Sequence, residues 1–371
     1  MKIALLGTRG VPANYGGFET CAEELGARLV ERGHSVSVYC RTHHVHYSQP
    51  YYRGMHLVRL PTIRNKYLDT ITHATIACCH ALTQQYDVVL MFIAGNSPLS
   101  FVPRLGGQRV ALNVDGLDWK RRKWPPLAKK YIQFAEWLAT KLPNAVVTDS
   151  RWVQEYYRTR FRAETTYIAY GSDVVPLPPG EYLEQYGLKP RQYLLYVGRL
   201  VPENCAHHLI NAFNQLKTDM RCVIIGDAPY ADDYIRQLKA AASPNVIFTG
   251  YLFGDGYREL SSNAYAFIET SEVGGTHPAL LEAMAFGNAV VVNDTRENLE
   301  TIQDAGLTYR GESGDAHLRE VLQELIDHPG QAEEYRCRAQ EHVHRHFTWD
   351  AVTDEYEALF ERMLKNKGRV V

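Results

Sequence analysis

Lys2–Leu6 reads KIALL, Gly7–Gly17 reads GTRGVPANYGG, and Ser35–Cys40 reads SVSVYC. A buried-type strand, a glycine-rich loop, an amphipathic helix over about Glu19–Arg32 ended by Gly33, and a second strand make one β-α-β unit. Asp87–Ile93 (DVVLMFI), Arg109–Val114 (RVALNV) and Ala145–Thr148 continue the series. This rhythm predicts a parallel sheet with helices on both faces. Val174–Gly180 (VVPLPPG) holds three prolines in seven residues and reads as a linker. Beyond it the rhythm restarts with Tyr193–Val197 (YLLYV), Arg221–Ile225 (RCVII), Val246–Thr249, Ala264–Glu269 and Ala289–Asn293. Two Rossmann-like α/β domains are expected, with a ligand in the cleft between them beyond the carboxyl ends of the strands.

The length agrees: 371 residues at ~100–200 per domain favours two. Hydrophobic residues at 45% and aromatics at 11% exclude a disordered chain. Lys plus Arg is 40 and Asp plus Glu 42, and this balance argues against a general nucleic-acid binder. No apolar run approaches the ~20 residues that span a bilayer. The opening MKIALLGTRG is too short in its apolar part for a signal peptide. The seven scattered cysteines lack metal spacing and read as reduced thiols of a cytoplasmic protein.

Three stretches carry candidate chemistry. Gly7–Gly17 follows the first strand, and Gly16 and Gly17 stand where the next helix begins. Glycines let backbone N–H groups approach an anion, and the helix dipole adds to the attraction. The loop departs from G-x-G-x-x-G, no G-K-[ST] follows, and strand two ends in Cys40-Arg41 without a ribose-binding carboxylate. A hydride-transferring Rossmann enzyme and a P-loop are thereby disfavoured; a mobile surface loop is the plainer alternative. Gly274–Gly287 (GGTHPALLEAMAFG) forms a second helix start: Gly274 and Gly275 precede Thr276, His277 and Pro278, and proline suits the first helical turn. Glu282 lies one turn inside, where a carboxylate can accept from ribose hydroxyls; alone it would read as a solvated helix residue. Tyr196–Asn204 (YVGRLVPEN) places Arg199, a planar fork of donors suited to phosphate, at the same sheet edge. Asp115 follows the strand RVALNV and precedes Gly116; it either faces a ligand or caps the next turn.

Together YVGRLVPEN and EVGGTHPALLEAMAFG resemble the second-domain signatures of the GT-B glycosyltransferases of family 4, in order and spacing. GTRGVPANYGGFET, LPTIRNKYLDTITH, NVDGLDWKRRKW and AYGSD are similar to a branch that looks like the bacterial rhamnosyltransferases of polysaccharide assembly. The resemblance implies a GT-B fold with residues 1–172 on the acceptor side, residues 173–346 binding a nucleotide sugar, and residues 347–371 crossing back to the first domain. It implies a retaining, metal-independent transfer of a sugar, L-rhamnose from dTDP-rhamnose, onto a glycan acceptor that can be lipid-linked, with no cofactor. Asp115 and Arg199 would be catalytic. Gly16, Gly17, Asn204, Gly274, Gly275, Thr276, His277, Pro278 and Glu282 would bind the donor. The wider family has a glutamate where Gly274 stands, a lysine at Asn204 and a histidine near Asp115. These departures disfavour a glucose- or mannose-type donor and favour a 6-deoxy sugar.

Asp118–Tyr131 (DWKRRKWPPLAKKY) interleaves basic and aromatic residues. Trp119, Lys120, Arg121, Arg122, Lys123 and Trp124 read either as a solvated loop or as a peripheral contact with the inner face of the cell membrane. His342, His344 and His346 alternate, so only His342 and His346 share a helix face, and no metal is expected there. A non-catalytic sugar-nucleotide sensor and a GT-B 2-epimerase remain as rival readings.

Overall fold

The computed structural model describes residues 1–13, 16–65, 68–122, 124–229 and 231–366. The chain forms two compact units, Met1–Gly171 with the chain from Trp349 onward, and Ser172–Thr348.

The first unit holds strands β1 (Lys2–Leu6), β2 (Ser35–Arg41), β3 (Tyr51–Tyr52), β4 (Met55–Leu60), β5 (Val88–Phe92), β6 (Arg109–Asn113), β7 (Ala145–Thr148) and β8 (Thr166–Tyr167). They lie in the order β3-β4-β2-β1-β5-β6-β7-β8, parallel except for the β3–β4 hairpin. The helices are α1 (Gly17–Glu31), α2 (Asp69–Leu82), α3 (Phe101–Leu105), α4 (Pro126–Ala139) and α5 (Arg151–Phe161). The strand order reverses at β1, between β2 and β5, so the loops after β1 and β5 flank a switch point where open α/β sheets take ligands.

The second unit repeats the plan with β9 (Tyr193–Val197), β10 (Arg221–Ile225), β11 (Val246–Gly250), β12 (Ala266–Glu269), β13 (Ala289–Asn293) and β14 (Leu307–Tyr309), in the order β11-β10-β9-β12-β13-β14. Its helices are α6 (Glu181–Gln185), α7 (Ala206–Phe213), α8 (Asp232–Ala241), α9 (Gly254–Ser262), α10 (Pro278–Ala285), α11 (Arg296–Ile302), α12 (Gly314–Asp327) and α13 (Pro329–His346). Here the switch point lies between β9 and β12. The core packs Leu194, Tyr196, Ile224, Ile268 and Val291 of the sheet against Leu209, Phe213, Leu318 and Leu322.

The chain then runs into α14 (Trp349–Lys365), which belongs to the first unit. Its stripe Val352, Tyr356, Leu359, Phe360 and Met363 is buried. Asn113 Nδ2, at the end of β6, donates to Tyr356 Oη at 2.8 Å. Arg32 reaches Asp354 at 2.6 Å and Glu357 at 2.8 Å, and His34 meets Glu357 at 2.7 Å. Tyr356→Phe keeps the ring but leaves a buried amide without its acceptor. It should cost about 1–3 kcal/mol in urea unfolding.

Helix α4 buries Ile132, Ala135 and Ala139, and with them the carboxyl of Glu136, which accepts from Tyr156 Oη at 3.1 Å. Burial raises the Glu136 pKa to about 7. A carboxyl whose folded pKa is raised stabilises the fold most at pH below its unfolded value of about 4.3, and that contribution is lost as pH rises through 7. Glu136→Gln should therefore match the parent near pH 4. At pH 8 it should be more stable by about 1–3 kcal/mol, measured by denaturant titration at both pH values.

Candidate functional site

In the first unit the glycine loop is shaped by close backbone approaches. Gly7, at φ +104°, would place a Cβ 2.6 Å from the Phe92 carbonyl oxygen. Gly10, at φ +113°, would place one 2.6 Å from Cys40 Sγ. Both glycines thus serve packing on β5 and β2. Two carboxylates of α1 hold the loop: Glu19 accepts from Arg9 N at 2.8 Å and Glu23 from Ala13 N at 2.6 Å. Gly16 is the extended N-cap of α1 and Gly17 its first residue, and the cap uses no side chain. The nearest atom to a Cβ at Gly16 would be Glu19 Oε2, at 3.5 Å. The dipole of this helix already meets a first-turn carboxylate.

Asp115 sits at φ 55°, half-buried, immediately beyond β6. Its backbone N–H donates to Asn113 Oδ1 at 3.2 Å. The Asn113 side chain thus helps to close this turn. A second carboxylate, Asp149, follows β7 and is fully buried. Burial, with the charges of Asp149 and Asp115, holds the Cys21 thiol far above its usual range. Ile93, at φ 76° and ψ 118°, is a β-branched residue in a strained conformation directly after β5. The sequence reading missed both Asp149 and Ile93. The signal for Asp149 was an acid directly after a buried strand; for Ile93 it was the Gly95-Asn96 pair after β5.

The second unit stitches its two switch-point loops together. Asn204 Nδ2 donates to the Arg199 carbonyl at 3.0 Å, Thr270 Oγ1 to the Asn204 carbonyl at 2.6 Å, and Glu272 N to the Glu203 carbonyl at 3.0 Å. Asn204 thus spends its side-chain donor on loop shape. Arg199 is half-buried on this loop. Glu203 is 1% exposed, and neither carboxylate oxygen has a hydrogen-bond partner among the described residues. On the facing loop, His277 is the N-cap of α10 and Pro278 opens it. A Cβ at Gly274 would lie 2.5 Å from His277 Nε2, so the glycine lets the imidazole fold over the loop. Gly275 and Thr276 are buried beside it. Glu269 Oε1 accepts from Ser271 N at 2.9 Å, and its Oε2 lies 3.9 Å from His277 Nδ1. Glu282, one turn into α10, takes the hydroxyl hydrogen bond of Tyr257 from α9. A cavity of about 260 Å³ opens next to the Arg199 loop, lined by Leu200, Gly226, Asp227, Phe248, Thr249 and Gly250. Arg199, the α10 start and Glu282 therefore lie on two loops and one helix at one sheet edge.

Residues 191–328 match the family described as Glycosyl transferases group 1, and residues 1–173 match a domain of unknown function, DUF1972. The segment that matches glycosyl transferases group 1 lies within the second unit. O-antigen chain mannosyltransferase B of Escherichia coli is 29% identical over 175 residues, covering 45% of this chain and 46% of that protein. D-rhamnosyltransferase WbpZ of Pseudomonas aeruginosa is 26% identical over 231 residues, 60% of this chain and 58% of that protein. The chain spans about half the length of the curated relatives it matches. Sucrose-phosphate synthase of Thermosynechococcus elongatus superposes with a TM-score of 0.80 at 18% identity, covering 98% of this chain and 99% of that one. HepE of Anabaena, in complex with UDP-glucose, gives 0.77 at 16% identity over 97% and 100%. The fold is that of the GT-B glycosyltransferases.

The basic stretch at Trp119–Trp124 lies outside the matched segment 191–328. Trp119 and Trp124 are half-buried. Trp124 Nε1 donates to Asp118 at 2.9 Å, Arg121 pairs with Asp118 at 2.7 Å, and Lys120 Nζ lies 4.6 Å from the Trp152 ring centroid. Arg122 is exposed, and Lys123 falls outside the described residues. Metal-capable side chains gather, among the described residues, at His43, His44 and Asp69 and at Cys205, His207 and His208. Arg41 pairs with Asp69 at 2.7 Å, and His207 Nδ1 meets Tyr234 Oη at 2.9 Å. His342 Nε2 bonds the Thr301 carbonyl at 2.9 Å. No helix among the described residues is long and apolar enough to cross a membrane.

Within the matched segment, Gly226 tests the loop geometry. At φ +149°, a Cβ there would lie 1.9 Å from the Gly198 carbonyl oxygen, backbone against backbone. Gly226→Ala must displace the turn that carries Arg199. It should destabilise by about 1–3 kcal/mol in thermal or urea unfolding.

Proposed function

We propose that the chain is a glycosyltransferase of polysaccharide synthesis that moves L-rhamnose from dTDP-rhamnose onto a lipid-linked glycan, with retention and without a metal. The observation that carries this reading is the joined pair of loops in the second unit. Arg199 and the N–H groups that open α10 stand at one sheet edge, a charge and a dipole suited to a diphosphate. The 260 Å³ cavity beside Leu200 would take the base, and Glu282 the ribose. The bond between the sugar C1 and the diphosphate oxygen breaks, and its electron pair leaves with the diphosphate. Preorganised donors stabilise that charge where other enzymes use a cation. The acceptor oxygen bonds to C1, and Asp115 takes up the proton.

Support for a deoxy sugar comes from Gly274 and Asn204, which stand where the wider family carries an acid and a lysine. A relative named as a D-rhamnosyltransferase points the same way. A nucleotide-sugar donor accords with the UDP-glucose complex of HepE.

A thermal-shift screen across dTDP-rhamnose, UDP-glucose and GDP-mannose tests the donor, since a ligand at 100 times its Kd adds about 2.7 kcal/mol. The largest shift is expected with dTDP-rhamnose. Arg199→Ala should weaken that binding about ten-fold or more. Asp115→Asn should lower kcat about 100-fold with donor Kd unchanged, and turnover should persist in EDTA. A parent-like kcat in Asp115→Asn, or a loss in EDTA restored by Mg²⁺, would overturn the mechanism.

A further inference from the structure

Helix α4 is apolar on two sides. Its inner face buries Ile132, Ala135 and Ala139. Its outer face exposes Leu127 at 81%, Tyr131 at 43%, Phe134 at 53% and Trp137 at 45%. These four residues and Lys130 fall within about 120° of one another around the helix, at 3.6 residues per turn. The Phe134 and Trp137 rings stack 5.8 Å apart. A helix that only covered a core would carry polar residues outward. The neighbouring α3, tied to the chain after α4 by a hydrogen bond from Arg104 to the Leu142 carbonyl, adds Phe101 at 44% and Leu105 at 74% exposure.

The charge of this region departs from that of the whole. Residues 101–142 hold nine Lys or Arg against three Asp or Glu, in a chain of net charge −2. Of the three acids, Glu136 is buried and Asp118 pairs with Arg121. Lys130, Lys141 and Arg104 are exposed around the apolar stripe. Large apolar patches on soluble surfaces mark contacts, and this one mixes Trp, Tyr and Phe with lysines and almost no acid. That is the composition of a helix lying in the headgroup zone of an anionic bilayer.

We infer that the α3–α4 face is a lipid-docking surface for anionic membranes, with Leu127, Phe134 and Trp137 entering the acyl boundary and Lys130 meeting headgroup phosphates. The Trp119–Trp124 stretch, folded onto Asp118 and Trp152, is not the inserting element. The contact stands on the surface alone; that it serves transfer to a lipid-linked acceptor rests on the function proposed above.

Co-sedimentation of the full chain with vesicles of phosphatidylglycerol, and separately of phosphatidylcholine, tests it without donor or acceptor. The parent should partition onto phosphatidylglycerol and far less onto phosphatidylcholine. Leu127→Ser with Phe134→Ser should lower that partitioning at least about ten-fold, with melting temperature unchanged because both residues are exposed. Lys130→Gln should lower it about five-fold. Equal binding to both lipids, or parent-like partitioning by the double variant, overturns the proposal. So does a dimer in light scattering that the double variant dissociates, since a second copy would then cover the face. Lost vesicle binding with intact donor turnover counts against the lipid surface alone; vesicle binding without turnover counts against the transferase reading alone.

Discussion

The hydrogen bond from Thr270 Oγ1 to the Asn204 carbonyl, at 2.6 Å and fully buried, sets the geometry on which the candidate site depends. It joins the loop after β9 to the loop after β12, the two strands that flank the switch point of the second sheet. Without it each loop would hang from its own strand end. With it, and with Glu272 N on the Glu203 carbonyl, the Arg199 turn and the approach to α10 form one body. Such bonds contribute only ~1 kcal/mol each to stability. Their larger effect is on position, because a loop held at two carbonyls cannot carry its guanidinium away from the helix start. The contact between Gly226 and the Gly198 carbonyl tightens the same turn from the β10 side, which is why only glycine fits there.

The sheet centres were legible because parallel strands buried on both faces read as unbroken apolar runs. Tyr193–Val197, Arg221–Ile225 and Ala289–Asn293 fall where the sequence put them. The edges were not. Met55–Leu60 alternates buried and exposed positions, since one face of β4 meets solvent, and no continuous run marks it. Its hairpin turns on Arg53 and Gly54, both at positive φ, in place of the Asn-Gly pair that announces such turns. The two-residue strand β8 is too short to carry a pattern.

At the site, residue type and position were readable and partnership was not. His277 and Pro278 at the α10 start follow from capping chemistry. That Asn204 would be consumed by the Arg199 carbonyl depends on how the chain turns between the two, and that Tyr257 would come from another helix to Glu282 depends on packing between α9 and α10. The tryptophans at 119 and 124 show the same limit. Their spacing among basic residues left a solvated loop and a membrane contact open, and did not show that Asp118 and the Trp152 ring give that stretch partners within the unit. The apolar face left uncovered lies one element later, on α4. There periodicity misleads, because the polar positions Lys129, Gln133 and Glu136 lie between the two apolar sides and do not show which side is out.

The charge distribution gives the two units different physical tasks. A net charge of −2 for the whole chain conceals an excess of six positive charges in residues 101–142, so the remainder is acidic by eight. Clustering like charge costs self-repulsion and is unfavourable for folding alone. The segment adds to that cost by exposing Leu105 and Leu127 more fully than any other large hydrophobic among the described residues. Neither feature helps the first unit to fold, since exposed side chains add nothing to its core. On the inference drawn above, an apolar surface that is itself negatively charged compensates both features. An anionic bilayer supplies both terms at once: apolar transfer relieves the exposed side chains, and the headgroups relieve the repulsion among the lysines.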